Sequence, residues 1–257
     1  MWLYPKIVAH RGAGILAPEN TLVAMRYALA QGFKGVEFDV MLAQDDVPVL
    51  MHDPVLGRTV AGTGNVNGYT ADELGQMDAG SWHSPQFVDE PVPGLAQVAD
   101  FCRANGIWMN VEIKPVPDIE VRTGEVVARS LERLFVDILD DPMTPVSIAR
   151  LPLVSSFSIP ALLAARRAVP ALPRALLVDR IPADWQAQCM LVAAVSLHVN
   201  QKHLNAAAAH RLKDAGLGLF CYTVNDVGRA HELLAWGVDG FCTDRLDLIS
   251  PDFPALA

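Results

Sequence analysis

The stretch GVEFDV at residues 35–40 decides the fold and contains the first candidate functional residues. It alternates apolar and acidic side chains, and successive residues of a β-strand point to opposite faces of the sheet. Glu37 and Asp39 therefore share one face, and the apolar residues around them share the other. Because an apolar face suits contact with a layer of helices, we expect both carboxylates to point into the interior of a closed sheet.

Similar short apolar or β-branched runs recur along the chain and alternate with segments of helical character. Strands that alternate with helices predict βαβ units and a parallel sheet, and eight such units are what a closed (β/α)8 barrel requires. We therefore predict an α/β fold, a single (β/α)8 TIM barrel over residues 1–257. The predicted strands are 7–9, 35–40, 108–113, 153–156, 175–178, 195–199, 217–223 and 240–242, and predicted helices include 21–31, 159–168, 204–215 and 227–236.

A further apolar run, residues 47–51, follows the second predicted strand after only a few residues. A parallel crossover needs about a dozen residues or more, so this run is predicted to return antiparallel as a β-hairpin. The hairpin brings His52 back near the C-terminal mouth of the barrel. Residues 53–93 are rich in Gly, Thr, Asn and Asp. Long irregular connections are often functional, and we interpret this one as a small insertion within the barrel that covers one side of the mouth.

The charge of the chain argues against nucleic acid as a partner. The net charge is −9, and no more than two Lys or Arg residues are adjacent, whereas nucleic-acid binding depends on phosphate neutralisation by a basic surface. The four cysteines, Cys102, Cys189, Cys221 and Cys242, form no CxxC pair. This spacing fits neither a disulfide framework nor a structural zinc site, so we expect four buried, reduced thiols.

The sequence also predicts a cytoplasmic protein without stable membrane insertion. The start of the chain has no basic region followed by an apolar core, which a signal peptide would require. No apolar run reaches the length of about 18 residues that a transmembrane helix needs. The oligomeric state stays open.

The third predicted strand contributes a further carboxylate, which we expect to lie close to Glu37 and Asp39. In the run NVEIK at residues 110–114, Glu112 and Lys114 point inward by the same alternation. Two like charges about 4 Å apart repel by about 4 kcal/mol at an effective dielectric constant near 20. Three carboxylates at one mouth thus predict protonation or a bound cation, and all-oxygen ligation favours Mg²⁺ or Ca²⁺. The alternative is that one or two of them only pair with Arg11 and Lys114.

Two histidines and two basic residues complete the candidate chemistry. His10 and His52 lie at strand ends, and histidine is the commonest general acid or base because it titrates near neutral pH. Arg11 and Lys114 suit a phosphate group, which arginine grips through two donors and lysine as a point charge. The alternative for this basic pair is ion pairing with the carboxylates. His198 and Tyr222 are left as candidate pocket residues without a role.

Eight short motifs in order resemble those of the glycerophosphodiester phosphodiesterase family, in its short bacterial cytoplasmic form. Together they span nearly the whole chain, which makes the resemblance specific although HRG or EFD alone would be weak. Three departures fall outside the proposed chemistry and concern the hairpin turn, Ser158 and Tyr222. The motifs are HRG (10–12), PENT (18–21), EFDV (37–40), HDPVLGRT (52–59), VEIK (111–114), SSF (155–157), YTVN (222–225) and TD (243–244).

The resemblance implies roles for the matching positions. The metal ligands would be Glu37, Asp39 and Glu112, the acid–base pair His10 and His52, and the phosphate-binding residues Arg11 and Lys114, with Glu19 and Asn20 supporting the site. It implies metal-dependent hydrolysis of glycerophosphodiesters, such as glycerophosphocholine and glycerophosphoethanolamine, to sn-glycerol 3-phosphate and an alcohol through a cyclic phosphate. The activity would belong to lipid and glycerol metabolism. The preferred head group and the choice between Mg²⁺ and Ca²⁺ stay open.

Two other functions compete with this one. The first is a phospholipase of the phosphatidylinositol-specific or sphingomyelinase-D type, which acts on intact lipid and should carry exposed Trp and basic residues. Trp82 and Trp108 have no such flanking residues. The second is a non-catalytic binding barrel, since a fold alone does not establish function. A pseudoenzyme should lack a ligand or a histidine, and the motifs retain them all.

Overall fold

The computed structural model describes residues 2–254, in which eight parallel strands close into a barrel and a ninth strand pairs outside it. Among the strands, the largest difference from the predicted boundaries is at the second, which extends to Leu42 rather than ending at Val40. The predicted TIM barrel is confirmed. The strands are β1 (Ile7–Ala9), β2 (Gly35–Leu42), β3 (Pro48–Leu50), β4 (Trp108–Ile113), β5 (Leu153–Ser156), β6 (Arg174–Val178), β7 (Ser196–Asn200), β8 (Gly218–Tyr222) and β9 (Gly240–Thr243).

The sheet closes because β1 pairs in parallel with both its chain neighbour β2 and the last strand β9. Strands β2 and β4 run parallel in continuous register, and Asp39 lies directly opposite Glu112. Strand β3 returns antiparallel on β2, as predicted, with Val40 opposite Leu50. This register places Asp39 and Glu112 at one level of the barrel, with Glu37 opposite Asn110 two residues earlier.

Helices cover the outside of the barrel, and several begin at side-chain caps. Thr21 accepts a hydrogen bond from the amide of Ala24, and Ser158, Asn205 and Asp226 cap later helices in the same way. Such caps satisfy amide groups that have no partner within the helix. The helices are α1 (Leu22–Ala30), α2 (Ala71–Leu74), α3 (Leu95–Ala104), α4 (Glu120–Leu134), α5 (Val136–Leu139), α6 (Pro145–Arg150), α7 (Ile159–Ala168), α8 (Trp185–Val192), α9 (Ala206–Asp214) and α10 (Val227–Ala235).

The main core lies between the barrel and its helices. Val36, Phe38 and Val40 of β2 belong to it, together with Val111 and Ile113 of β4, and all five are fully buried. Complete burial of such a side chain is worth about 1.5–3 kcal/mol. This set of apolar residues holds β2 and β4 in the orientation that turns their acidic residues inward.

Aromatic side chains close the opposite end of the barrel, at the N-terminal ends of the strands. Trp2 stacks on Phe220 with ring centroids 5.7 Å apart, and Tyr4 stacks on Trp108 at 4.7 Å. These rings pack with buried interior residues of β1, β5, β6 and β9. The polar interior is therefore approached from the C-terminal ends of the strands.

Residues 53–93 pack beside the mouth around an apolar cluster that they share with the β2–β3 hairpin and with Val116 after β4. The segment contains helix α2 and two short 3₁₀ turns, Val66–Gly68 and Pro85–Phe87. It contacts the first turn of α1, where Glu90 accepts a hydrogen bond from the amide of Val23 at 2.9 Å. Buried members of the cluster are Met41, Ala43, Val49, Met51, Leu56, Val60, Val66, Leu74, Ala79, Val92 and Val116.

Two sequence expectations about the chain as a whole can be compared with the fold. Cys102, Cys189, Cys221 and Cys242 are all buried free thiols, as predicted. In residues 2–254, no helix combines the length and the apolar character that crossing a bilayer requires.

Candidate active site

Three carboxylates converge at the C-terminal ends of β2 and β4. Glu37, Asp39 and Glu112 each offer one oxygen atom, and these three atoms lie within 4.8 Å of one another. All three residues are buried, with exposed fractions of 5%, 1% and 9%. The alternation of side chains along the two strands therefore produces the predicted shared pocket.

The pKa shifts show that this cluster carries more negative charge than its surroundings favour. Burial raises the pKa of Glu112 well above its ordinary value, and the charge on Asp39 raises it further. Burial also raises the pKa of Glu37, against the opposing influence of His10. For Asp39, burial is outweighed by Lys114 and Arg11, which hold its pKa at about 2. Bringing a cation among these oxygens would relieve the repulsion.

Lys114 and Arg11 flank the carboxylate cluster. The Nζ atom of Lys114 lies 3.2 Å from Asp39 Oδ1 and 3.7 Å from Glu112 Oε1. Arg11 donates from Nη1 to Glu19 Oε1 at 2.8 Å, and its Nε lies 3.4 Å from Asp39 Oδ2. That Nε is buried and makes no hydrogen bond within the described part of the chain. The ion pairs expected as an alternative are thus present, and Arg11 retains a free donor.

Asn20 fixes the orientation of Asp39. Its side-chain Nδ2 donates to Asp39 Oδ2 at 2.8 Å, while its Oδ1 accepts from the backbone amide of Asp39 at 3.1 Å. Asn20 adopts a left-handed conformation with a φ of 58°, which asparagine tolerates better than most residues. The PENT motif therefore supplies a rigid support for one carboxylate.

His10 pairs with Asp244, which directly follows the last strand, β9. Its Nδ1 lies 2.6 Å from Asp244 Oδ1, and its Nε2 lies 3.7 Å from Glu37 Oε2. Asn225 holds the other oxygen of Asp244 by donating from Nδ2 at 2.7 Å. Burial works against a charged imidazole, but the bond to Asp244 and the negative charges of Glu37 and Asp244 together outweigh it and raise the pKa of His10.

The contact between His10 and Asp244 depends on a close backbone approach at Gly14. Gly14 has a φ of 57°, and a Cβ atom at this position would lie 2.2 Å from the Cα of Asp244. Only glycine fits so little space at a positive φ. The loop after β1 can therefore pack directly against the end of β9.

His52 has an acidic partner of its own. Its Nδ1 lies 2.7 Å from Asp53 Oδ1, and Arg58 Nε lies 2.5 Å from Asp53 Oδ2. Arg58 also binds Glu19, which connects the insertion to the PENT motif. Burial lowers the pKa of His52, and Asp39 opposes this effect. His52 therefore lies within the electrostatic reach of the carboxylate cluster.

Comparison with known proteins agrees with this geometry. The model of the glycerophosphoryl diester phosphodiesterase family matches residues 10–248. The chain belongs to this family. A Bacillus subtilis member named glycerophosphodiester phosphodiesterase is 31% identical over 94% of this chain and 84% of its own length.

Solved structures resemble the chain over almost its whole length. An Oleispira antarctica phosphodiesterase in complex with the product sn-glycerol-3-phosphate is 32% identical, with a TM-score of 0.84 over 93% of each chain. A glycerophosphodiester phosphodiesterase from Agrobacterium tumefaciens is 26% identical, with a TM-score of 0.76 over 95% of this chain and 98% of its own. The chain therefore shares both its fold and its family with known phosphodiesterases.

Four polar residues of the site were not singled out from the sequence as site residues. They are Asp53, Arg58, Asn225 and Asp244, which bind the two histidines directly or through one neighbour. All four lie inside the quoted motifs HDPVLGRT, YTVN and TD. These motifs could have indicated the four residues, but which side chains pair with one another depends on the folded loops.

Proposed function

We propose that this protein hydrolyses glycerophosphodiesters, such as glycerophosphocholine and glycerophosphoethanolamine, to sn-glycerol 3-phosphate and an alcohol. The observation that carries the proposal is the meeting of three buried carboxylates with two histidines, each bound to its own aspartate, in a member of this family. The product bound to the Oleispira relative supports the same reaction class.

Glu37, Asp39 and Glu112 are proposed to hold one divalent cation, Mg²⁺ or Ca²⁺. The donor set fits such an ion because it offers only oxygen atoms, which hard cations prefer. The raised pKa values of Glu37 and Glu112 also indicate excess negative charge at this point. When bound, the cation would supply stabilisation of the negative charge on the phosphoryl group.

His10 and His52 are proposed to move the protons. Asp244 and Asp53 accept from the Nδ1–H groups, which leaves each Nε2 to exchange a proton with the substrate. One imidazole takes the proton of the neighbouring glycerol hydroxyl as its oxygen attacks phosphorus, and the other protonates the leaving alcohol. The roles then reverse as water opens the resulting cyclic phosphate.

Arg11 and Lys114 are proposed to bind the phosphate oxygens. The buried Nε of Arg11 lies 3.4 Å from Asp39 but makes no hydrogen bond in the described residues, and Lys114 can turn its ammonium group from Asp39 toward an anion. Glu19 and Asn20 support this arrangement by orienting Arg11 and Asp39.

Three broader features of the protein are part of the same proposal. The chain is one barrel domain with residues 53–93 as an insertion at the mouth, and the contacts between Arg58 and Glu19 support this interpretation. Its partners are small glycerophosphodiesters rather than nucleic acid, which the net charge of −9 supports. We propose a cytoplasmic location, since four free thiols are typical of a reducing compartment.

The deciding experiment measures glycerol 3-phosphate release from a panel of glycerophosphodiesters with Mg²⁺, with Ca²⁺ and with EDTA. We expect turnover with a divalent cation and none with EDTA. Phosphatidylcholine and phosphatidylinositol vesicles serve as the comparison, because a phospholipase would cleave these intact lipids. Full activity of metal-free protein would contradict the metal assignment, and preferential cleavage of intact lipid would contradict the substrate assignment.

A further inference from the structure

A small cavity lies in the barrel interior next to the carboxylate cluster. Its volume is about 40 Å³, and Glu37 and Glu112 form part of its wall. The remainder comes from His10, from Phe157 and from strands β4 to β9, so the cavity is a continuation of the proposed catalytic pocket. The deeper lining residues are Asn110, Ser155, Leu177, His198, Phe220 and Cys242.

Three polar atoms in this lining have no hydrogen-bond partner in the described residues. They are Asn110 Oδ1, Ser155 Oγ and His198 Nδ1. Their residues are almost completely buried, with exposed fractions of 3%, 0% and 1%. Buried polar groups in proteins are nearly always paired with protein or ordered water, because an unpaired one costs free energy. Three such atoms around one cavity indicate a ligand that can hydrogen-bond.

We propose that Asn110, Ser155 and His198 form a hydroxyl-binding site, the floor site, which is filled either by a water molecule or by the terminal hydroxyl group of the substrate's glycerol moiety. The proposed reaction assigns no role to these three residues. The part of the inference that concerns glycerol rests on the proposed function, whereas the part that concerns water does not.

The size and chemistry of the cavity select a hydroxyl group. A buried water needs a cavity of roughly 10–15 Å³ or more, so a cavity of about 40 Å³ has room for a water molecule or a hydroxyl group. The amide oxygen accepts, the serine hydroxyl donates and accepts, and an imidazole nitrogen does either, which a hydroxyl group can match.

His198 presents a neutral imidazole to the floor site. Burial lowers the pKa of His198 to about 3, and its Nε2 lies 3.2 Å from Ser196 Oγ. Its ring packs against Phe220 with centroids 4.7 Å apart. These contacts fix the ring, so that Nδ1 is the atom left for a ligand. A neutral lining of this kind suits an uncharged hydroxyl rather than a second phosphate or cation.

Crystal structures of the wild-type protein, free and with glycerol 3-phosphate, test the floor site without any measurement of turnover. We expect ordered density at about 2.7–3.2 Å from at least two of the three atoms in both crystals. An isolated water in both structures assigns the site to water, whereas density continuous with glycerol assigns it to the substrate. Lack of ordered density in both structures, or side chains that instead bond one another, would overturn the proposal.

A substrate comparison checks the source of the hydroxyl. Phosphodiesters of propane-1,2-diol keep the hydroxyl next to the phosphate-bearing carbon but lack the terminal one. If glycerol fills the site, the glycerol ester should have a kcat/KM about 100-fold or more higher, and Ser155→Ala should reduce this preference. If water fills it, the ratio of kcat/KM for the two substrates should be near one in the wild type and in Ser155→Ala. Ser130→Ala, which removes a buried hydroxyl on α4, is the matched control and should keep the wild-type ratio.

Discussion

Asp244 Oδ1 lies 2.6 Å from Nδ1 of His10, although the two residues are 234 positions apart in the chain. Asn225 binds the second oxygen of Asp244 at 2.7 Å and also accepts a hydrogen bond from its backbone amide at 2.8 Å. The carboxylate is therefore fixed from two directions. In the proposed mechanism it holds the proton of His10 on Nδ1, so that Nε2, which faces the carboxylate cluster, is the nitrogen that exchanges protons.

Replacing Asp244 with Asn should lower kcat while the fold and substrate affinity are kept. The amide can present its NH₂ group to Nδ1, which would move the imidazole proton to Nε2, and we expect a loss of about 10²–10⁴-fold in kcat. Steady-state kinetics against pH measures the change in kcat, in KM and in the profile. Asp247→Asn is the control, because Asp247 is more exposed and binds Arg245. Equal kcat values for both variants would contradict the role of Asp244.

His10→Ala and His52→Ala should each reduce kcat by about 10²-fold or more, since each variant lacks one of the two proposed proton carriers. Circular dichroism and thermal unfolding would verify that the fold is kept. His203→Ala is a suitable control, because His203 lies in a short 3₁₀ turn and its imidazole faces Asp179. Near-wild-type rates for both active-site variants would remove the acid–base assignment.

Glu112→Gln should show separately how the ionised carboxylate affects the stability of the metal-free fold and how it contributes to metal binding. Because burial raises the pKa of Glu112, its charged form is unfavourable in the fold, and we expect the metal-free variant to be at least as stable as wild type at pH 8. The variant should lose most of the increase in Tm that Mg²⁺ or Ca²⁺ gives the wild type. Differential scanning calorimetry measures both effects, with Glu125→Gln on the outer helix α4 as the control. A metal-induced increase equal to that of wild type would contradict the ligand assignment.

The stabilisation by metal should increase with pH. Glu37 and Glu112 have pKa values raised above the ordinary 4.5, so the metal-free fold loses stability as pH rises through those raised values. Asp39 has its pKa lowered from 3.8 to about 2, and its contribution is lost only as pH falls below 3.8. Since a cation binds the ionised carboxylates, the rise in Tm with Mg²⁺ should be larger at pH 8 than at pH 5. A constant or shrinking rise would contradict this coupling.

The barrel and the carboxylate cluster follow from local sequence patterns. Strand alternation fixes the directions of Glu37, Asp39 and Glu112, and the short turn before residues 47–51 requires the antiparallel return that brings His52 to the mouth. These inferences need only strand periodicity and a limit on crossover length.

The partners of the histidines could not be derived from such patterns. The bond between His10 and Asp244 depends on how two loops approach each other at Gly14, and the bond between Arg58 and Glu19 depends on the path of an irregular insertion. The apolar residues of that insertion follow no strand or helix period, so its packing was not visible in the sequence. The ion pairs of Lys114 with the carboxylates, the alternative to phosphate binding, are present in the fold, and phosphate binding by Lys114 stays a prediction.

The stacking of Trp2 on Phe220 and of Tyr4 on Trp108 has a practical consequence for handling the protein. Trp2 and Tyr4 cover the side of the barrel away from substrate entry, so a probe attached beside them should leave kinetics unaffected and suits immobilisation on a surface. Replacing both rings with alanine, in contrast, would expose Phe220 and Trp108 to solvent and invite aggregation.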